Sequence, residues 1–588
     1  MSYLFQCAIG PVQEFIATAR RSRDLWYGSW LLSELSKAAA KAIADGGGQL
    51  IFPSTTAIGR DLTAKSLFNA PNKIVGVIDG PPDHVAKSVD TAIRGRLREL
   101  RDNAFSAPRG HALFDRALAE AQVDDLVEFY WVSVQFDGVG GYAQARQKAE
   151  ASLNARKATR DFAAVKGDFR PKSSLDGARE SVIAEKAYAA SNDHDSDKAK
   201  KAKTLFERFG ARPAERLSGV DILKRLGERG SSAATFPSTS HMAALPFLKH
   251  VDDTMKEGNS SQLLSALKEL LEDENVPSDE TDGSLVYSSR LTEWVPQKEK
   301  RDRIGQKVEE LLRGYAGGVR PRPYYALLAA DGDNMGAAID FLTTQPHPVE
   351  GHRKLSVALS GFADKVADIV EDHEGVLVYS GGDDVLAYLP LHTVLQCADQ
   401  VAEEFAGCMS GFKTDRDVSP TLSTGIVIVH HLEPLTDALE LVRDAERAAK
   451  TVNGKHGLAI TVSKRSGVDR RVVGKRNVLH RRLQQMIDWR RNGAISVGAA
   501  YELQALDRVL GKSSVPNEAI IAEALRIIER KRETGGEKDV DDAVKRALRQ
   551  WVQVDGVKLQ ELTFELIVAG LFADALDLAG GKLRENTP

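Results

Sequence analysis

Two short apolar runs, Val376-Leu377-Val378-Tyr379 and Val385–Leu389, are separated only by Ser380-Gly381-Gly382-Asp383-Asp384, and this spacing predicts a β-hairpin. The hairpin constrains its surroundings. Tyr324–Ala330 is another strongly apolar run, stopped by Asp331-Gly332-Asp333, and a helical pattern ending near Ile369 separates it from the hairpin. A helix over about 392–410, a strand over Leu422–Val429, a helix over Leu435–Thr451 and a strand over Leu458–Val462 follow. The order β-α-β-β-α-β with additions predicts a ferredoxin-like sheet backed by helices over 320–466.

The remaining length needs further domains, because 588 residues exceed the roughly 250–300 that one hydrophobic core serves. Strand-like runs at Tyr3–Ile9, Ile74–Ile78 and Phe129–Gln135 give a first α/β domain over 1–165. Residues 166–319 read as mainly helical and highly charged, and 467–588 as a C-terminal helical domain. The fold class is α+β. With 42% hydrophobic and 28% charged residues the chain reads as a soluble globular protein, and a net charge of -4 neither predicts nor excludes a polyanion partner. No stretch approaches the ~20 apolar residues that span a bilayer, and Met1–Gly10 lacks a basic leader, so no membrane partner and cytoplasmic residence are expected. The only cysteines are Cys7, Cys397 and Cys408, none in a CxxC pair, which excludes a four-thiolate zinc site.

The acidic residues carry the chemistry. Asp331 ends an interior strand and Asp383-Asp384 occupies the neighbouring turn, so carboxylates distant in sequence are expected to meet at one end of the sheet. Like charges so placed repel unless a cation compensates them, and hard divalent cations prefer carboxylate oxygen. Asp331, Asp383 and Asp384 are therefore the candidate catalytic residues and ligands of Mg2+ or Mn2+, two ions being expected, with Asp384 the better placed for direct coordination. Gly332, Asp333, Asn334, Ser380, Gly381 and Gly382 are expected around a nucleotide, the glycines permitting close approach of a triphosphate. Lys455, in Asn453-Gly454-Lys455-His456-Gly457, is either a triphosphate clamp or an exposed turn residue. The predicted reaction is attack of a ribose 3′-hydroxyl on the α-phosphate of a nucleoside triphosphate, releasing pyrophosphate. A merely structural turn is the competing reading of Gly-Gly-Asp-Asp. A calcium loop is excluded at Asp331-Gly332-Asp333-Asn334-Met335-Gly336, because its twelfth position is Leu342 rather than Glu.

Two basic stretches are candidate RNA or subunit contacts. The first contains Arg20, Arg21 and Arg23 and runs into Trp26, Tyr27 and Trp30; a solvated face followed by core aromatics is its bland reading. Between Lys464 and Gly493 ten Lys or Arg residues, among them Arg470, Arg471, Lys475, Arg476, Arg481 and Arg482, are opposed only by Asp469 and Asp488. They could contact phosphates or an acidic partner, or form a solvated face.

Ile9-Gly10-Pro11-Val12-Gln13-Glu14-Phe15-Ile16 with Ala19–Ser29, Phe236-Pro237-Ser238-Thr239-Ser240, Asp331–Gly336 and Ser380–Asp384 together resemble the large palm-containing subunit of type III CRISPR effector complexes, Cmr branch. The resemblance runs to about residue 465. It implies two ferredoxin-like, cyclase-like palms with interposed and C-terminal helical domains, the first palm non-catalytic because it has no Gly-Gly-Asp-Asp turn. It also implies guide RNA, complementary target RNA and other effector subunits as partners, ATP as substrate, and target-activated synthesis of cyclic oligoadenylate at Asp331, Asp383 and Asp384. Many relatives begin with an HD nuclease domain, whereas this chain opens on the palm motif, so DNA cleavage is not expected. Nor is the cysteine-ligated zinc of many relatives, since no cysteine lies between 8 and 396. A stand-alone nucleotide cyclase and a structural nucleotide-binding subunit are the alternative functions.

Overall fold

The computed structural model describes residues 2–580 except 109, 138–140, 160–168, 229–235, 256–258, 275, 277–281, 296, 466, 511–514, 516 and 531–541. Of the expected domain limits, 165/166 falls at residues outside those described, as does residue 466 of the limit at 466/467.

The first sheet has strands β1 (Tyr3–Gly10), β2 (Gln49–Phe52), β3 (Lys73–Ile78) and β4 (Glu128–Gln135) in the order β2-β3-β1-β4, every neighbour antiparallel. Helix α1 (Ser22–Asp45) links β1 to β2, and α2 (Pro82–Ala104) links β3 to β4, which is the ferredoxin-like connection. Alternation along β1 sends Phe5, Cys7 and Ile9 to one core, where Leu25, Leu35, Ala39 and Ile43 of α1 meet Val89, Ile93, Leu97 and Leu100 of α2 at helical spacing. The other face holds Leu4 and Ile51 against Tyr142, Ala145 and Ala149 of α3 (Tyr142–Ala158).

In the middle segment α4 (Gly219–Leu226) is bound to α1 by the buried Arg225, whose guanidinium donates to Asp24 at 2.9 Å. Helix α5 (Thr239–Met255) reaches the second sheet, Ser240 Oγ lying 2.9 Å from His431 Nδ1.

The second sheet comprises β5 (Tyr324–Asp333), β6 (Val376–Gly381), β7 (Asp384–Leu389), β8 (Thr421–His430), β9 (Gly457–Val462) and β10 (Arg470–Lys475), ordered β10-β9-β8-β5-β7-β6. Only β8 and β9 run parallel. Its helices are α6 (Met335–Leu342), α7 (Pro348–Asp372), α8 (Val394–Met409) and α9 (Leu435–Lys450). Strand β5 is buried on both faces: Ala326, Leu328 and Ala330 pack on the α7/α8 side, while Tyr325, Leu327 and Ala329 join the core that includes Ala438, Leu439 and Val442 of α9. Helix α10 (Arg476–Arg491) packs against α11 (Leu559–Ala579). The first domain leans on the second through Tyr142 Oη to His352 Nδ1 at 2.8 Å and Arg146 to Asp340 at 2.6 Å. Among the described residues no helix is long and apolar enough to cross a membrane.

Three readings change. Strand β5 continues through Asp331 to Asp333 because β8 pairs with it to the end, Asp333 opposite Thr421. Strand β2 completes the first sheet, and β10 occupies a segment read as helical.

Candidate active site

Asp331 stands one residue past the last β5–β7 pair, Ala330 with Val385, so the antiparallel register carries it beside Asp384. It shares the face of Leu327 and Ala329, the face that α9 covers. Asp383 lies in the turn beyond the Gly381–Asp384 pair and folds over Gly332. A Cβ at Gly332 would stand 2.7 Å from both Asp383 Oδ2 and Met335 Cγ, so only glycine admits that approach. Gly382 takes φ +76 with open space around it, the left-handed conformation that lets the turn close.

The carboxylates gather without closing into a cage. Among the described residues no group of three or more His, Cys, Asp or Glu is arranged to hold a metal ion. Asp383, with Gly381 and Gly382, lines a cleft of about 240 Å³ between the two sheet domains, opposite Gln6, Lys73 and Arg146. Asp384 instead feels Glu446 of α9. Burial in the hairpin end pushes Asp383 up. Close packing, then repulsion from Asp383 and Glu446, pushes Asp384 up to about 7, although its outer surface meets water. Carboxyls crowded so closely repel one another, and a cation between them would relieve that repulsion. All-oxygen donors at the end of the sheet suit Mg2+ or Mn2+, with substrate or water completing the shell.

A cationic arc borders the acids. Lys450, the last residue of α9, forms an ion pair with Asp331 and lies 3.6 Å from Glu446 Oε1. Burial, then the neighbouring Lys455, lowers its pKa. Lys455 takes φ +59 and its ammonium donates to the Lys450 carbonyl at 2.9 Å; the Lys475 ammonium donates to the Lys455 carbonyl at 3.0 Å. Glu446 and Lys450 are the site residues that sequence reasoning missed. Their one signal was acid and base four apart on a helix that leads into the Asn453–Gly457 turn.

Other expected residues are placed differently. Asp333 was expected at the nucleotide; the residue is 2% exposed, and its carboxylate accepts from Thr421 Oγ1 at 3.0 Å, Ser423 Oγ at 2.8 Å and the His456 backbone N–H at 3.0 Å. It ties β5 to β8 and to the Lys455 turn. Ser380 is fully buried within β6. Asn334 takes φ +63 where the chain turns from β5 into α6.

The basic stretches are largely spent inside the molecule. Arg23 donates to the carbonyls of Arg225 and Gly227, Arg21 lies 3.9 Å from Glu215, and exposed Arg20 donates to the Ser174 carbonyl. Arg476 pairs with Asp399, Arg482 with Glu565, and Arg491 with Asp577. Arg470 reaches Gln504, and Lys475 belongs to the Lys455 turn. Of the named candidates in the second stretch, Arg471 and Arg481 are exposed alongside Lys475, and Arg471 donates to Thr461 Oγ1.

Comparison with known proteins bears on both sheets. Residues 324–459 match the family described as Cas10/Cmr2, second palm domain, and residues 4–102 match CRISPR-associated protein Cmr2, N-terminal. The CRISPR system Cmr subunit Cmr2 of Pyrococcus furiosus is 28% identical over 546 residues, covering 79% of this chain and 62% of that protein. The chain thus spans less than two thirds of that relative's length. Two solved structures, type III-B Cmr-beta in the apo state and bound to cognate target RNA, each match with a TM-score of 0.61 at 14% identity over 92% of this chain. They cover 78% and 80% of the respective chains, and at that identity the likeness is one of fold.

Proposed function

We propose that this chain, whose opening segment matches the Cmr2 N-terminal model and whose second sheet matches the Cas10/Cmr2 second palm, joins ATP into cyclic oligoadenylate as a subunit of a guide-RNA effector complex switched on by complementary target RNA. The observation that carries the reading is the register that sets Asp331 beside Asp384 at the end of adjacent strands, bordered by Lys450 and Lys455. The proposed partners follow from the relatives, one a Cmr subunit and one solved with cognate target RNA.

Asp331, Asp383 and Asp384 would hold one or two Mg2+ or Mn2+ ions, which when bound favour ionisation of the hydroxyl and steady the leaving pyrophosphate. The ribose 3′-oxygen bonds to the α-phosphorus as the bond from that phosphorus to the bridging oxygen breaks, and the hydroxyl proton passes to solvent. The chain's own part is placement. Gly382 leaves open space at the turn, Gly332 admits the Asp383 side chain and Gly381 the Tyr379 ring, and α6 starts beside them with its first N–H groups free of helical partners. Lys455 and Lys475 add positive charge at the same edge. Asp333 positions the Lys455 turn.

The test is the assembled complex with guide RNA, ATP and Mg2+ or Mn2+, with and without complementary RNA, its products separated by chromatography and identified by mass. Cyclic products that require complementary RNA and vanish in Asp383→Asn/Asp384→Asn are expected. Cyclic product formed without RNA would support a stand-alone cyclase, linear products alone would refute cyclisation at this site, and assembly with no product would support a structural subunit.

A further inference from the structure

Helix α6 is the short element between the β5 strand end and α7, and its first residue touches the acidic turn. Met335 and Asp383 share the space over Gly332, since a Cβ built there would lie 2.7 Å from both Met335 Cγ and Asp383 Oδ2. Met335 and Ile339, one turn apart, also line the cleft that Asp383 lines. A helix this short holds its place through its neighbours rather than through its own hydrogen bonds. One of those neighbours is His352 of α7, fully buried, whose Nε2 lies 2.8 Å from the Ile339 carbonyl oxygen. A carbonyl oxygen only accepts, so Nε2 carries the proton. Burial lowers the pKa of His352, and the ring is neutral. Nδ1 is then an acceptor, and Tyr142 Oη of α3, 2.8 Å away, is its donor. The bonds therefore run one way, from the Tyr142 hydroxyl to Nδ1 and from Nε2–H to the Ile339 carbonyl, and they tie α6 of the second domain to α3 of the first.

The relay is polar where its surroundings are apolar. Phe52 packs on the His352 ring at 5.8 Å between centroids, and Leu4, Ile51 and Val349 belong to the same cluster as Tyr142. Apolar surfaces can slide past one another at little cost, whereas two buried hydrogen bonds fixed in length and direction allow one arrangement. The pair Arg146–Asp340 joins the same two helices at 2.6 Å, but the Asp340 side chain is 71% exposed and a pair so open to water contributes little. Resting on the reading of the acidic turn as the cation and nucleotide site, we propose that His352 is a positioning residue through which the first domain, which has no acidic turn of its own, fixes α6 and so the placement of Met335 against Asp383. The first domain thus acts on the reaction without touching the reacting atoms. Cutting the relay leaves α6 joined to the chain and both cores intact, so the effect falls on nucleotide binding more than on folding.

The test measures Mn2+-dependent binding of an ATP analogue with a non-cleavable α–β bridge to the full chain. Tyr142→Phe keeps the ring and removes the donor; it should weaken binding by about threefold to tenfold, the range for one buried hydrogen bond. His352→Gln, whose amide can still donate to Ile339 but offers Tyr142 nothing in place of Nδ1, should weaken it to a similar extent. Tyr142→Phe/His352→Gln should be no worse than the worse single variant, because both changes cut one path. Ser240→Ala controls for mere loss of stability: it removes a buried hydroxyl–imidazole contact of the same kind, to His431 at the opposite end of the second sheet, and should lower the melting temperature without moving binding. Hydrogen exchange over 338–342 should accelerate in Tyr142→Phe and not in Ser240→Ala. Unchanged binding in Tyr142→Phe, an equal loss in Ser240→Ala, or losses that multiply in the double variant overturn the proposal. Asp383→Asn/Asp384→Asn tests the underlying reading separately: binding indifferent to that change defeats the acidic site, whereas binding that depends on it but ignores Tyr142→Phe defeats the relay alone.

Discussion

Asp333 gives the sharpest test of how the site is held. Its carboxylate accepts from two hydroxyls, Thr421 Oγ1 and Ser423 Oγ, and from the His456 backbone N–H, while Ser423 Oγ in turn accepts from the Gly457 N–H. Asp333→Ala removes the acceptor. The hydroxyls can rotate to new partners, but the His456 N–H is fixed by the backbone and becomes an orphaned donor. A hydrogen bond to a charged acceptor contributes about 1.5–3 kcal/mol, so local opening of the 453–457 turn should become easier by about that amount. At about 1.4 kcal/mol per factor of ten, amide exchange at His456 and Gly457 should accelerate by roughly tenfold to a hundredfold in the nucleotide-free chain. Hydrogen exchange read by mass spectrometry on peptides spanning the turn measures this, and Asp333→Asn, which retains a carbonyl oxygen, should keep most of the protection. If exchange is unchanged in the alanine variant while nucleotide binding falls, Asp333 faces the ligand after all and the positioning argument fails.

Other outcomes follow from the same geometry. The Asp384 carboxyl, pushed up to about 7, holds a proton that competes with a cation, so Mn2+ affinity should fall by up to tenfold for each pH unit below about 7 in a titration from pH 8 to pH 5. Because that value lies above the ordinary ~4, the folded chain keeps the proton between about pH 4 and pH 7, and this group's contribution to stability is lost as pH rises through that window; saturating Mn2+ should raise the melting temperature more at pH 8 than at pH 6. Gly425→Ala forces a methyl against the α9 backbone at 2.3 Å and should cost about 3 kcal/mol, the upper end for overpacking, seen as a lower melting temperature together with lost synthesis. Arg482→Ala leaves Glu565, whose side chain is 3% exposed, without its partner and should destabilise the α10–α11 pair by about 3 kcal/mol. RNA affinity should be unaffected, whereas Arg471→Glu/Arg481→Glu should weaken assembly at moderate salt; equal RNA affinity in both variants would remove the remaining exposed arginines from the interface.

Strand β5 was legible because a strand buried on both faces must be apolar along its length, and Tyr324–Ala330 meets that demand; the edge strand β6 was legible because Val376–Tyr379 is joined to Val385–Leu389 by a short glycine turn. The edge strands β2 and β10 were not. Strand β2 is four residues ahead of a proline, and in β10 only Val472 is buried, so Arg470, Arg471 and Lys475 give the segment the composition of a solvated face. The charge excess there is reduced in space, because Glu565 and Asp577, the partners of Arg482 and Arg491, lie more than 80 residues further along the chain. Asp331 and Asp333 show the deeper limit. Both occupy one face of one strand, and period-two alternation cannot distinguish them; what separates them is that β8 offers Thr421 and Ser423 to the second, while α9 offers Lys450 to the first. Glu446 and Lys450 were invisible for the related reason that an acid and a base four apart on a helix usually face water. Here two glycines on neighbouring strands, Gly425 and Gly457, bring that helix down onto the sheet. Small residues remote in sequence thus set which charges face the carboxylates, and the polarity of the site is fixed by packing on its far side as much as by the acidic turn itself.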